Sequence, residues 1–280
     1  MQHVEWETAI YERRSFRSYE QRELQPDLIE KLEQFAGNIE APFTHGVEIR
    51  FFKMEQRQRL YNTLTAPPPN GAAFMCSTDV LSVSKAGFVG ELFILYATSL
   101  GVATCWFGHY SAAVLNRVMP HLTDEEVTRL PKWGCGSSEA SGVRAICITP
   151  LGYWRRQGAR LLDRFTQAAM SSKRRPIREL LHPYVDERLI KPEVLYALDL
   201  ARMAPSAANS QPWRFAVRSG GEQVQIYAPQ GYKHLKWEHP DVDIGISASH
   251  FWLGLKMQQV QCQVIPEVRD GQAVWTFELK

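Results

Sequence analysis

One order of features runs through the first half of this chain and recurs in the second. Pro26-Asp-Leu-Ile-Glu-Lys-Leu32 matches Pro192-Glu-Val-Leu-Tyr-Ala-Leu198. In both, a proline suited to a first helical turn precedes apolar residues at helical spacing. Glu40-Ala-Pro-Phe43 then falls beside Met203-Ala-Pro-Ser206, and Ile49-Arg-Phe51 beside Trp213-Arg-Phe215. Upstream, Arg13-Arg-Ser-Phe-Arg17 has a looser counterpart in Arg174-Arg-Pro-Ile-Arg178. Downstream, the helical stretch Gly90–Gly101 has one in Ile244–Val260. Short helices align by chance, but a shared order this long points to two copies of one α+β unit. The first copy is placed at 1–170 and the second at 171–280, with Arg155–Ser172 as a connector.

Periodicity predicts helices near 4–14, 26–37, 86–101 and 111–119 in the first copy, and near 192–203 and 244–260 in the second. Strands are expected at Val47–Lys53, Val143–Thr149, Trp213–Arg218, Gln223–Tyr227 and Ala273–Glu278. Tyr61–Gly71 carries three consecutive prolines and reads as a loop. With 280 residues, 45% hydrophobic and 22% charged, the chain can bury a large core. A net charge of +2 argues for neither nucleic acid nor an acidic membrane surface as partner. The five cysteines are odd in number and lack CxxC spacing, so neither a zinc site nor a disulfide framework is expected. The start shows no basic region followed by an apolar run. No apolar stretch is expected to span a bilayer; Phe88–Val102 contains Glu91 and reads as a buried helix. A cytoplasmic location is expected.

The copies differ where chemistry is possible. The second holds Ala204-Pro-Ser-Ala-Ala-Asn-Ser-Gln-Pro-Trp213, which joins small hydroxyls, two amides and an aromatic wall. A primary amide offers both a donor and an acceptor, so Asn209 and Gln211 can match the polar edge of a planar heterocycle. Ser206 can reach a hydroxyl or ring oxygen. Alternatively, the Asn and Ser cap local backbone, and Trp213 is read as core. The first copy has Pro42-Phe-Thr-His-Gly-Val-Glu-Ile49 at this place, without the amides. It keeps instead Arg13, Arg14, Ser15 and Arg17, whose guanidinium forks and hydroxyl suit a phosphate. Lys173-Arg-Arg175 can close on the same phosphate; a solvated helix end is the competing reading. Ser99–Gly108 adds Trp106, Phe107 and Gly108, which can lie along a flat ring or simply follow a helix C-cap. Together these residues suggest one flavin nucleotide site built from both halves. The chain has no dinucleotide fingerprint, P-loop, nucleophile elbow or HExxH. Its eight histidines are scattered, and none is assigned catalysis.

The Arg-Arg-Ser-x-Arg start, the Ala-Pro-Ser-x-x-Asn-x-Gln-Pro-Trp segment and Leu-Gly-x-x-Thr-Cys-Trp occur in the order that characterises the FMN-dependent nitroreductase family. The chain resembles that family from about Glu7 to about Gln258, and most closely its branch with two copies fused in one chain. The resemblance implies a nitroreductase-like α+β fold: an internally duplicated pseudo-dimer with mixed sheets flanked by helices. Family members are usually homodimers with two FMN sites at the interface. Carried over, Arg13, Ser15 and Arg17 bind the phosphate, with Lys173 and Arg175 at basic positions that also contact it. Pro205, Ser206, Asn209 and Gln211 line the ribityl chain and ring, and Trp106, Phe107 and Gly108 lie along the ring. The departures at Phe43–Ile49 and Pro176 put a second FMN in doubt.

The implied activity is ping-pong transfer of hydride from NADH or NADPH to a nitroaromatic, quinone or related acceptor. It needs no catalytic side chain and no metal. The fused chain is expected to act as a monomer. Two other readings stay open: a flavin-binding protein without turnover, and a cofactor-free relic. The intact Asn209/Gln211 set argues against the relic. The loops Tyr61–Gly71 and Tyr232–Pro240 are expected to select the acceptor.

Overall fold

A computed structural model describes residues 4–55, 58–61, 63–64, 66–119, 142–155, 173–218, 221–234, 237 and 239–280. Helices α1 (Trp6–Glu12) and α2 (Pro26–Gly37) precede strands β1 (Glu48–Lys53) and β2 (Asn70–Ser77). Helix α3 (Val80–Ser99), helix α4 (Ala112–Val118) and strand β3 (Val143–Leu151) follow. The second half runs through α5 (Ile177–Leu180), α6 (Pro192–Arg202), β4 (Arg214–Arg218), β5 (Gln223–Tyr227), α7 (Asp241–Met257), β6 (Cys262–Arg269) and β7 (Gln272–Leu279). Most of the expected connector, residues 156–172, lies outside the described residues.

The strands form two sheets, one ordered β1-β2-β3 and the other β4-β5-β7-β6. Every pairing between these strands is antiparallel. Parallel pairing enters at single bridges, Ser15 to Thr104 and Leu181 to Phe215, so each sheet is mixed only at its margin. Residues 103–107 run beside β3, bridging Ala103 to Gly152 and Phe107 to Ile148. They occupy the place that β6 takes beside β7, but as a broken strand.

The duplication is visible in detail. Helices α2 and α6 both begin with proline, as the sequence suggests. Helices α3 and α7 end alike. Gly101 (φ 74) and Gln259 (φ 57) are left-handed. The next N–H reaches back five residues in each case, from Val102 to Ala97 O and from Val260 to Leu255 O, both at 2.9 Å. This is the six-to-one bond of a Schellman cap.

The same two helices cross at the centre of the molecule. A Cβ on Gly87 would lie 2.1 Å from Val242 O, and one on Gly245 would lie 1.8 Å from Ser84 O. Each glycine therefore receives the other helix's backbone, the self-complementary contact expected at a two-fold axis. Both helices are buried along most of their length. By length and composition Val80–Ser99 is apolar enough to cross a membrane, contrary to expectation, but 78% of its apolar window is buried inside this fold. It begins six residues before the predicted start, where Asp79 accepts from Ser82 N at 2.9 Å.

Two strands escape the sequence reading. Asn70 and Gly71, assigned to a loop, open β2 at the centre of the first sheet. A Cβ on Gly71 would lie 2.4 Å from the Phe52 ring, which would have to shift to admit it. β6 contains Pro266, which reads against a strand, but β6 is an edge strand and can lose one donor.

Candidate functional site

A cavity of about 1350 Å³ opens between the halves. From the first half it is lined by Arg13, Arg14, Ser15, Arg17, Trp106, Phe107 and Gly108. From the second come Pro205, Ser206 and Asn209. Lys173, Arg175 and Gln211 are absent from the lining; Arg174 takes their place.

The arginine segment is set by the broken strand. Phe16 N donates to Thr104 O at 2.9 Å, which fixes residues 13–17 beside the segment from Ala103 to Phe107. Arg13 is 7% exposed, and its Nε has no hydrogen-bond partner among the described residues. Arg14 folds back so that its Nη1 donates to Tyr11 O and Arg13 O, which caps α1. The helix-end reading therefore fits Arg14 best.

The opposite wall is a strained loop. Ala208 (φ 50), Asn209 (φ 55) and Gln211 (φ 49) are all left-handed, a conformation disfavoured outside glycine. Several bonds hold it. Gln211 N donates to Ser206 Oγ at 2.9 Å, and Asn209 N to Ser206 O at 3.0 Å. Gln211 Oε1 accepts from Arg175 N at 2.9 Å, while its Nε2 donates to Lys173 O and Asn209 O. Its amide is thus spent on the backbone of residues 173–175 and is not turned to the cavity. Asn209 Nδ2 also donates to Lys173 O, and Asn209 Oδ1 accepts from Arg174. Both amides seat an extended segment whose alternate side chain, Arg174, enters the cavity. Arg174 also donates to Met203 O at 3.0 Å, and its buried Nε has no partner among the described residues. Burial first, then repulsion from Arg13, lowers its guanidinium to about 10, with Glu91 acting the other way.

Aromatic groups close the remaining sides. Trp106 stacks on Phe74 with centroids 4.5 Å apart, and its Nε1 donates to Glu91 Oε2 at 2.7 Å. Phe107 exchanges two backbone bonds with Ile148, and its ring lies 4.8 Å from that of Tyr61. Gly108 accommodates a protein ring: a Cβ there would fall 1.9 Å from Trp237. Trp237 and His234 bring the 232–240 loop into the lining, and Thr63 brings the 61–71 loop. His109 also lines the cavity. Trp213 is fully buried core, as read from the sequence. Arg214 donates to Trp213 O at 2.7 Å and is not in the lining.

The symmetry-related place is built differently. Phe43 packs against Phe88 and Trp275, with centroids 4.9 and 5.0 Å away. Phe88 and Trp275 stack on each other at 5.0 Å. Two residues before Gly87, Lys85 donates to Thr44 O at 2.8 Å. Two residues before Gly245, Asp243 accepts from Ala207 N at 3.1 Å. Equivalent helix positions thus hold a lysine and an aspartic acid, and the first-half loop carries an aromatic plug.

A family profile described as "Putative TM nitroreductase" matches residues 5–120 and 129–255. The chain belongs to this family. Membership supports an oxidoreductase, and the architecture is a duplicated nitroreductase-like fold. A Thermotoga maritima protein described as a "putative nitroreductase" is similar over 100% of this chain and 95% of its own, at 20% identity and a TM-score of 0.63. A Bacteroides fragilis nitroreductase with bound FMN covers 57% of this chain and 92% of its own, at 17% identity and a TM-score of 0.37. A Desulfovibrio desulfuricans protein in complex with FMN covers 65% and 99%, at 14% identity and a TM-score of 0.40. No curated protein matches the chain by sequence.

Within this nitroreductase-type cavity, Asp243 is a residue that sequence reasoning missed. It is 3% exposed and lines the cavity. Burial pushes its carboxyl up to about 8; the Ala207 N–H opposes the rise, and the Asp241 charge adds to it. The folded protein therefore holds a proton that the unfolded chain releases near the ordinary carboxylate value. This contribution to stability falls as pH rises from about 4 to about 8, then levels off. Asp243→Asn is expected to gain on the wild type across that window by on the order of 5 kcal/mol. Urea midpoints at several pH values measure this. A difference that stays constant with pH would place the proton elsewhere.

Proposed function

We propose that this chain is an FMN-dependent oxidoreductase that passes hydride from NADH or NADPH to a nitroaromatic, quinone or related acceptor. One observation carries the reading. The buried Arg13 of one half meets the strained Ser206–Gln211 loop of the other, and Arg174 Nε lies buried without a partner among the described residues. Buried donors left unpaired are costly, so a site of this kind suits an anion that supplies acceptors. The donor set fits a phosphate monoester beside an aromatic wall.

On this reading Arg13, Arg17 and Arg174 hold the phosphate, with Ser15 as a neutral donor. Pro205, Ser206 and Asn209 position the ribityl chain and ring edge. Trp106, Phe107 and the Trp237 ring on Gly108 exclude water from the faces. Gln211, Lys173 and Arg175 act behind them by fixing the Arg174 backbone. When bound, FMN supplies the hydride chemistry in ping-pong order, so no side chain is assigned a catalytic role. The loops carrying Thr63 and His234 shape the opening and select the acceptor.

The copy boundary near residue 170, a cytoplasmic location and a monomer acting as a pseudo-dimer belong to the same proposal. Reconstitution with FMN is expected to give about one flavin per chain, since one protein offers few such sites and the mate is plugged by Phe43. Reduction of the bound flavin by NADH or NADPH would then be followed at 450 nm on the order of seconds or faster. Flavin bound but not reduced by either nucleotide would favour a flavin-binding protein without turnover. Two flavins per chain would show that the Phe43 cluster yields.

A further inference from the structure

One polar group on the cavity wall has no part in the reading above. Asp243 lies in the first turn of α7, is 3% exposed and lines the cavity with Val242 and Ile246. Its two oxygens share one donor, the Ala207 N–H, each at 3.1 Å. It forms no ion pair among the described residues. A helix start favours negative charge. Against that, one shared N–H compensates a buried carboxylate poorly, and Asp241 adds repulsion. A carboxyl so placed keeps its proton. As an acid it has one oxygen to accept from Ala207 N and one O–H to donate. The Ala207 N–H cannot accept, so that O–H is left for whatever enters the cavity.

The amides expected at the ring direct N–H groups elsewhere. Asn209 Nδ2 and Gln211 Nε2 both donate to Lys173 O. A donor without negative charge suits the carbonyl and imine acceptors on the edge of a flavin ring, where reduction adds negative charge. We propose that Asp243 contacts the cofactor: its O–H donates to an acceptor on the ring edge, while its other oxygen holds Ala207 N and with it the loop. The inference rests on the cavity being the FMN site. Few charges bear on this carboxyl. On its own helix there is Asp241, whose Oδ1 accepts from Ala273 N at 2.8 Å. Residues 206–210 bring no ionisable group. The 232–240 loop brings His234 into the lining and His239 beside Trp237; burial lowers His239, so it is neutral where Asp243 titrates. On α3, Lys85 is turned to Thr44 O, and Glu91 Oε1 to His250 Nε2 at 2.9 Å. Arg13, Arg174 and His109 line the same cavity.

The test titrates the full chain with FMN between about pH 6.5 and about pH 9.5, in wild type and Asp243→Asn. Asparagine keeps one acceptor and one donor in the same place and is expected to give the more stable protein. Burial pushes Asp243 up to about 8, and the protonated form is the one that binds. Wild-type affinity is therefore expected to hold below about pH 7 and to fall about 30-fold by about pH 9.5. Asp243→Asn is expected to bind as tightly at low pH and to lose less than about threefold over the same range. Arg174, at about 10, and the flavin itself titrate alike in both proteins. The visible absorption band of bound flavin is expected to shift across this window in wild type only. Asp243→Ala, with neither donor nor acceptor, is expected to bind about tenfold more weakly near neutral pH. Parallel pH profiles in wild type and Asp243→Asn overturn the proposal. So does inorganic sulfate, which has no ring, if it loses affinity as FMN does: Asp243 would then act by charge on the arginines alone. Should Asp243→Ala fail to fold, wild type against Asp243→Asn decides. FMN binding to neither protein overturns the flavin reading and this inference together, whereas parallel profiles overturn this inference alone.

Discussion

Arg174→Ala is expected to lower FMN affinity about 100-fold, whereas Lys173→Ala changes it less than about threefold. A hydrogen bond to a charged group contributes about 1.5–3 kcal/mol, and each 1.4 kcal/mol is tenfold in affinity. Arg174 enters the cavity with a buried, unpartnered Nε, whereas Lys173 offers its carbonyl to Asn209 and Gln211 and keeps its side chain out of the lining. Arg174→Lys separates charge from shape. It keeps the cation but loses the fork that reaches Asn209 and Met203 O, so partial recovery is expected. Quenching of flavin fluorescence measures all three. Equal affinities for Arg174→Ala and wild type would remove Arg174 from the site and return weight to its neighbours.

The second large effect concerns the fold itself. Gly245→Val is expected to destabilise the protein by about 3 kcal/mol or more, because overpacking at a site without slack forces backbone to move. The atom in the way is the Ser84 carbonyl oxygen, 1.8 Å from where the Cβ would be, and a carbonyl in a buried helix cannot rotate aside. Gly87→Val meets Val242 O in the same way at 2.1 Å. Gly37→Val is the control, since nothing lies within 4 Å of a Cβ there. For a chain of this size, about 3 kcal/mol corresponds to a fall in Tm of roughly 6–12 °C. If Gly245→Val and Gly37→Val melted together, the helix crossing would not be the tight contact described.

Much of the architecture was legible because the repeat is written in strong local signals. Pro26 and Pro192 open helices where a missing N–H costs nothing. The strands rich in β-branched and aromatic residues, such as Gln223–Tyr227, fall where expected. What escaped lacks local signal. Asn70–Ser77 is Gly, Ala and Ser in large part, and becomes a central strand through its two neighbours. Helix α3 is apolar on all sides, so no periodicity marks its first turns.

The site follows the same division. Segments were legible, but which side of an extended chain faces the ligand was not. Residues 173–175 alternate, and the register is decided by Gln211, which is distant in sequence. Gln211 has the chemistry of a ligand contact, yet its amide is consumed by backbone. The approach of Glu91 to His250 joins residues far apart in the chain, and neither has a motif around it.

The reciprocal crossing at Gly87 and Gly245 has one further consequence. In a dimer of identical chains, any substitution on the two-fold axis arrives as a pair, so a change that suits only one side is felt on both. Here the facing positions are separate codons. Lys85 and Asp243, placed two residues before those glycines, show the result: a lysine and an aspartic acid at equivalent sites, which identical subunits could not hold. Joining the halves also fixes their mutual concentration, so dilution does not part them. The chain keeps the geometry of a symmetric interface while each side answers to its own selection.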